Sequence, residues 1–175
     1  SAAVLTELAA FADAQLNART HPLLGHASLH ASTISGGTGW STYPDRCVVR
    51  IERRTLPGES TAGVLAEMHQ VIEAIRGRVP ALEVEVRHIL TQAPSDVAVD
   101  APVVQALGMA LAAGGIERRV EGVSAWTDAA LLNAAGVPAI CFGPGDMGLA
   151  HADEEYIDLA EVDLATSVLE RVAVD

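Results

Sequence analysis

One hundred and seventy-five residues make one ordinary domain or two small ones, long enough to bury roughly two-thirds of the unfolded surface. Half of them are apolar and only 3% aromatic, so a core of Ala, Val, Leu and Ile is expected and disorder is excluded; two cysteines exclude a disulfide scaffold, and no run approaches ~18 apolar residues, which excludes a membrane span. A net charge of −12, from 23 acids against 11 bases that are all Arg, repels phosphate backbones and speaks against a nucleic-acid partner.

Residues 3–18 are predicted to form an amphipathic helix, with Val4, Leu5, Leu8, Phe11, Ala12 and Leu16 at helical spacing. Residues 28–35 follow as a strand ending at Gly36-Gly37. Residues 46–54 alternate: Cys47, Val49 and Ile51 share one face, and Arg50, Glu52 and Arg54 the other. After a Leu56-Pro57-Gly58-Glu59 turn, Ser60 or Thr61 caps a second helix. Its stripe is Val64, Met68, Val71, Ile72, Ile75 and Val79, and Pro80 prevents its continuation. Residues 82–90 alternate again, Leu82, Val84 and Val86 inward against Glu83, Glu85 and Arg87, with His88 continuing the inward face. The order helix-strand-strand-helix-strand is one strand short of the split βαβ, ferredoxin-like unit, so the chain is expected to be a piece of something longer.

Charge and pattern both change near Gln92–Ser95. Residues 1–92 hold eight Arg and nine acids, whereas residues 93–175 hold three Arg and fourteen acids. The acidic half serves either solubility or the binding of cations. Asp100 is placed to cap a helix with Pro102 in its first turn, running to Gly114-Gly115. A short strand is expected near residues 117–120 and a helix from Ser124 to Ala135. Residues 137–142 read as a buried strand that delivers Gly143-Pro144-Gly145. Asp158 and Glu161 form a capping-box-like start for a last helix. Alternating helices and strands imply part of an α/β layer. Cys47 and Cys141 read as small apolar core residues.

Ligands of open α/β sheets gather beyond the carboxyl ends of strands, and the loop after Phe142 is such a place. Its three glycines let a backbone approach a ligand, and His151 stands four residues before Glu155, with Asp153 and Glu154 between. Imidazole beside carboxylates is the material of a divalent-metal site. On spacing alone a loop histidine is more often a solvated or capping residue than a ligand. His21, His26 and His30 lie near a turn, and His69 falls off its helix's apolar stripe. No nucleophile elbow and no phosphate loop is present.

Several segments nevertheless form an ordered series: His21-Pro22-Leu23-Leu24-Gly25, Gly36-Gly37-Thr38, Tyr43-Pro44-Asp45-Arg46-Cys47, the stretch Ile51 to Glu59, Trp126-Thr127-Asp128-Ala129, Gly136-Val137-Pro138, Gly143-Pro144-Gly145, and Ala150-His151 to Tyr156. This series resembles the di-zinc metallopeptidase family of acetylornithine deacetylase, succinyl-diaminopimelate desuccinylase, aminoacylase and glutamate carboxypeptidase. The resemblance implies a ferredoxin-like lid, lacking its first strand, over residues 1–91, and the closing α/β segment of a catalytic domain over residues 92–175. It implies a metal-dependent hydrolase of N-acyl amino acids or short peptides, with two Zn²⁺ per complete subunit, replaceable by Co²⁺, and a homodimer formed through the lid. It implies His151 as one metal ligand. The other ligands and the general base are expected upstream, so no catalytic residue is expected within this chain. Arg54 is the candidate partner of a substrate carboxylate, with pairing to Glu52 or Glu59 as the alternative; Gly143, Pro144 and Gly145 would line the substrate cleft, and Glu155 would support His151 as a neighbour. Where many relatives have Asn before the lid's Pro-Asp, this chain has Ser41. Gly25-His26 is similar to the family's Gly-His lid motif but stands wrongly relative to Gly36-Gly37 and is read as coincidence. A non-catalytic dimerisation or binding module is the competing reading. With no basic segment in Ser1–Leu8, and with Glu7 there, a reducing cytoplasm is expected and no membrane partner.

Overall fold

The computed structural model describes residues 2–174. They form a mixed α/β protein that divides into two units, Ser1–Pro94 with Gly122–Trp126 and Ser95–Glu121 with Thr127–Asp175. Among the described residues no helix is long and apolar enough to cross a membrane.

The first unit opens with α1 (Ala2–Phe11), which runs into a wider π-helical turn, Ala12–Leu16. Leu8 and Leu16 are buried on this stretch, as the helical spacing requires. Two short strands, β1 (Thr20–His21) and β2 (Gly25–His26), pair antiparallel across the intervening turn. β3 (Ser28–Gly36) and β4 (Cys47–Arg54) form a longer antiparallel hairpin, from Ser28 opposite Arg54 to Gly36 opposite Cys47. The register slips between Ala31 and Thr33, so Ser32 is an extra residue in its strand. At the far end only glycine fits position 36, because a Cβ there would stand 2.5 Å from the Arg46 carbonyl oxygen. α2 (Thr61–Arg76) starts at Ser60, whose hydroxyl accepts from the Gly63 N–H at 3.2 Å. Its buried Val71 and Ile75 pack on Leu8, joined by Val4, Phe11, Leu29, Met68 and Leu82. Leu16, Ala27 and Leu56 make a second small cluster.

Two expectations for this unit need correction. Leu82, Val84 and Val86 are half-buried while Glu83, Glu85 and Arg87 are exposed, yet residues 82–90 join no sheet. Alternation decides which side chains face inward; a ladder also needs a neighbouring strand. His88, expected to be packed or hydrogen-bonded, is exposed and not packed inward, but its ring is satisfied, with Nε2 2.8 Å from Thr91 Oγ1. Cys47 is likewise exposed. It shares a strand face with Arg53, but sits at the opposite end of the hairpin from Leu29 and Arg53, and only that latter end is covered by the helices.

In the second unit α3 (Pro102–Ala113) packs on α5 (Leu159–Val174) through Ala110, Leu111 and a fully buried Val168, with Leu107, Ile116, Phe142 and Val172 around them. Proline at the first position suits α3, since its missing N–H would have no helical partner. The cap is Ala101, without a side-chain bond, and not Asp100. α4 is shorter than expected, Ala129–Ala134. Residues 117–120 and 137–142 run without strand pairing, and Cys141 is exposed, its Sγ 3.3 Å from Thr127 Oγ1. Asn133 substitutes for part of a ladder at Ala139: its Nδ2 donates to the Ala139 carbonyl and its Oδ1 accepts from the Ala139 N–H, both at 2.8 Å.

Candidate functional site

The stretch that follows Phe142 is organised by short bonds between carboxylates and backbone N–H groups. Gly145 adopts φ +94, which an L side chain resists, and its N–H donates to Glu161 Oε2 at 2.9 Å. Asp146 caps a 3₁₀ turn, Met147–Leu149, its Oδ1 accepting from the Gly148 N–H at 2.7 Å. The chain then turns sharply at His151.

His151 is the one non-glycine with positive φ, 65°, among the described residues. That left-handed conformation costs of order 1 kcal/mol for a side chain with a Cβ, and histidine is among the residues that tolerate it. Its backbone N–H donates to Glu155 Oε2 at 3.1 Å, and the residue is exposed. Glu155 therefore braces the His151 corner through the main chain rather than through the ring. Gly143 is exposed and Pro144 half-buried.

Among the described residues no three of His, Cys, Asp and Glu stand close enough to hold an ion. An exposed imidazole at a braced corner suits one coordination position. A structural or catalytic zinc takes three or four protein ligands, so the residues present do not by themselves form a metal centre.

Arg54 belongs to the first unit and projects from the polar face of β4. Its Nε lies 2.6 Å from Glu52 Oε1, and both side chains are about half exposed, so Glu52 competes for any carboxylate that Arg54 would bind. Ser41 and His26 are exposed, and so is His69.

One constellation escaped the sequence reading. Arg53, only 5% exposed, donates from Nη2 to Glu59 Oε1 at 2.6 Å and from Nε to Glu67 Oε2 at 3.3 Å. Arg19 also donates to Glu59 Oε1, at 2.8 Å, and to Glu67 Oε1. Glu59 Oε2 accepts from the Leu56 N–H at 2.7 Å, which closes the turn. Burial pushes the Glu59 carboxyl up, but the bonds from Arg53, Leu56 and Arg19 together outweigh it and hold it below the usual carboxylate range. The signal was available: Arg53 has the inward parity of Val49 and Ile51, and Glu67 interrupts the apolar stripe of α2. Two charges at core positions imply each other. This cluster ties β4, the Leu56 turn and α2 together, a structural role.

Comparison with known proteins shows the family of the chain. Residues 7–175 match the family described as Peptidase family M20/M25/M40. A Mycobacterium tuberculosis protein named as a succinyl-diaminopimelate desuccinylase is 32% identical over 143 residues, covering 82% of this chain and 37% of the relative. The acetylornithine deacetylase of Myxococcus xanthus is 31% identical over 148 residues, with the same coverages of 82% and 37%. The N-acetyl-L-citrulline deacetylase of Xanthomonas campestris is 36% identical over 50 residues, 29% of this chain and 14% of its own. The chain thus spans 37% of the length of the first two of these relatives. With a match over nearly its whole length, the chain belongs to peptidase family M20/M25/M40.

Proposed function

We propose that this chain is part of a hydrolase that cleaves the amide bond of N-acyl amino acids or short peptides. The family match over residues 7–175 is the observation that carries this reading. It is supported by the names of the relatives, a desuccinylase and two deacetylases, all of which describe removal of an acyl group from an amino acid.

In this reading residues 1–91 are a lid that pairs two subunits into a homodimer, and residues 92–175 close the catalytic domain. His151 supplies one ligand to a zinc pair, for which Co²⁺ is a substitute, through a neutral ring nitrogen. The remaining ligands and the general base come from outside this chain. When bound, such metals polarise a scissile carbonyl and lower the pKa of a water. The chain's own contributions are different. The 143–151 loop presents backbone groups of Gly143, Pro144 and Gly145 to the substrate, and Glu155 keeps the His151 corner in its left-handed turn. Arg54 exchanges Glu52 for a substrate carboxylate, a partner that its planar fork can engage with two bonds. The working compartment is the cytoplasm.

The non-catalytic module remains a second reading because, among the described residues, no three potential metal ligands gather at His151. One experiment separates the two. The complete polypeptide is assayed against acetyl-, succinyl- and carbamoyl-amino acids with Zn²⁺ or Co²⁺, and its bound metal is counted. Turnover is expected, with His151→Ala lowering bound zinc from about two equivalents toward one and kcat by orders of magnitude while the circular dichroism is unchanged. Absence of turnover with every acyl group, or a His151→Ala variant with both metals and normal kcat, would overturn the assignment.

A further inference from the structure

Glu161 stands in the first turn of α5, three residues after Asp158, where the sequence pattern asks it to close a reciprocal cap on its own helix. The structure diverts it. Asp158 Oδ1 accepts from the Ala160 N–H at 2.9 Å, while the Glu161 carboxylate reaches sixteen residues back to the Gly145 N–H, also at 2.9 Å. A carboxylate suits this turn, since a helix N-terminus favours negative charge. The contact lands on a residue at φ +94, a corner whose direction decides where the following loop goes.

Three carboxylates hold this loop, and they do so differently. Asp146 bonds within the loop, to Gly148, and Glu155, just beyond it in the chain, bonds back to His151. Glu161 alone of the three comes from α5, whose Val168 is packed to full burial against α3. Glu161 is thus a hydrogen-bonded link between the glycine-rich loop and a helix packed into the core.

We propose that Glu161 is a positioning residue for the reaction. Through Gly145 it fixes the direction in which the 143–151 loop leaves Phe142, and therefore where His151 and the glycine backbone stand. This inference rests on the reading of that loop as part of the active site. Glu161 touches no substrate and acts only through Gly145.

Two measurements test it. In the 175-residue chain, Glu161→Ala should raise the hydrogen-exchange rate of the Gly145 amide about tenfold, as expected for loss of one charge-assisted bond, with the α5 amides around Val168 unchanged. Glu161→Gln keeps an acceptor oxygen and should stay near the parent. In the complete polypeptide, Glu161→Ala should lower kcat about tenfold with KM within about twofold, and Glu161→Gln should restore most of it. Unchanged Gly145 exchange in Glu161→Ala overturns the contact. Faster exchange with normal kcat, in an enzyme that His151→Ala does inactivate, overturns the positioning role while the active-site reading stands. A His151→Ala enzyme with normal kcat removes the active-site reading and this inference with it.

Discussion

Replacing Glu67 by Gln should destabilise the first unit by about 2–3 kcal/mol, far more than an isosteric change on a helix surface. Arg53 sets the cost. Its side chain is 5% exposed, so when Glu67 loses its charge the guanidinium cannot turn to water. Breaking a buried pair outright costs about 3–5 kcal/mol. Here Glu59 still holds Arg53 at 2.6 Å, which brings the loss toward that of one charged hydrogen bond, about 1.5–3 kcal/mol. Arg19 is 36% exposed, can find water, and adds little. The assay is urea unfolding at neutral pH followed by far-ultraviolet circular dichroism, in a double-mutant cycle with Arg53→Met. For a unit of about 100 residues the loss corresponds to a Tm lower by roughly 10 °C. Glu73→Gln is the control, because its pair with Arg76 is exposed on both sides and should be worth under about 0.5 kcal/mol. Acid gives an independent arm. Glu59 is held below its ordinary pKa, so the stability it supplies is fully present above the unfolded value of about 4.3 and is lost as pH falls through the lower folded value. Glu59→Gln should flatten that acid limb. A Glu67→Gln chain as stable as the Glu73→Gln control would refute the argument, as would additive effects of Glu67→Gln and Arg53→Met.

Two further changes test the packing. Val168→Ala should cost roughly 2 kcal/mol in the second unit, because Val168 is 0% exposed and α3 and α5 have few other buried contacts to close the void; a loss under about 0.5 kcal/mol in urea unfolding would mean the helices are loosely packed. Gly36→Ala should destabilise by about 1–3 kcal/mol, because its Cβ would meet the Arg46 carbonyl at 2.5 Å, and the opposite sign, a gain from a stiffer unfolded chain, would show that the hairpin end relaxes freely.

The elements that the sequence determined by itself are those written in local rules. The stripe from Val64 to Ile75, the Ser60 cap and Pro102 at the head of α3 depend on neighbours three or four residues away, and α2 and α3 begin where those rules put them. The segments of β3 and β4 were legible as separate strands, 28–35 and 46–54, but their antiparallel pairing and its slip at Ser32 are seen only in the structure. Family membership was legible too, carried by short motifs in order along the chain. What only the tertiary structure decided is partnership. Residues 82–87 keep their inward and outward sides but have no ladder, since parity is a property of one strand and pairing of two. Cys47 has core parity yet lies exposed, because the helices cover only one end of its hairpin. The Asp158–Glu161 pattern promised a closed cap, and the fold instead brought the Gly145 N–H within reach of the same carboxylate. A carboxylate takes whichever donor the fold carries to it, and sixteen residues of separation leave no periodicity from which that choice could be read.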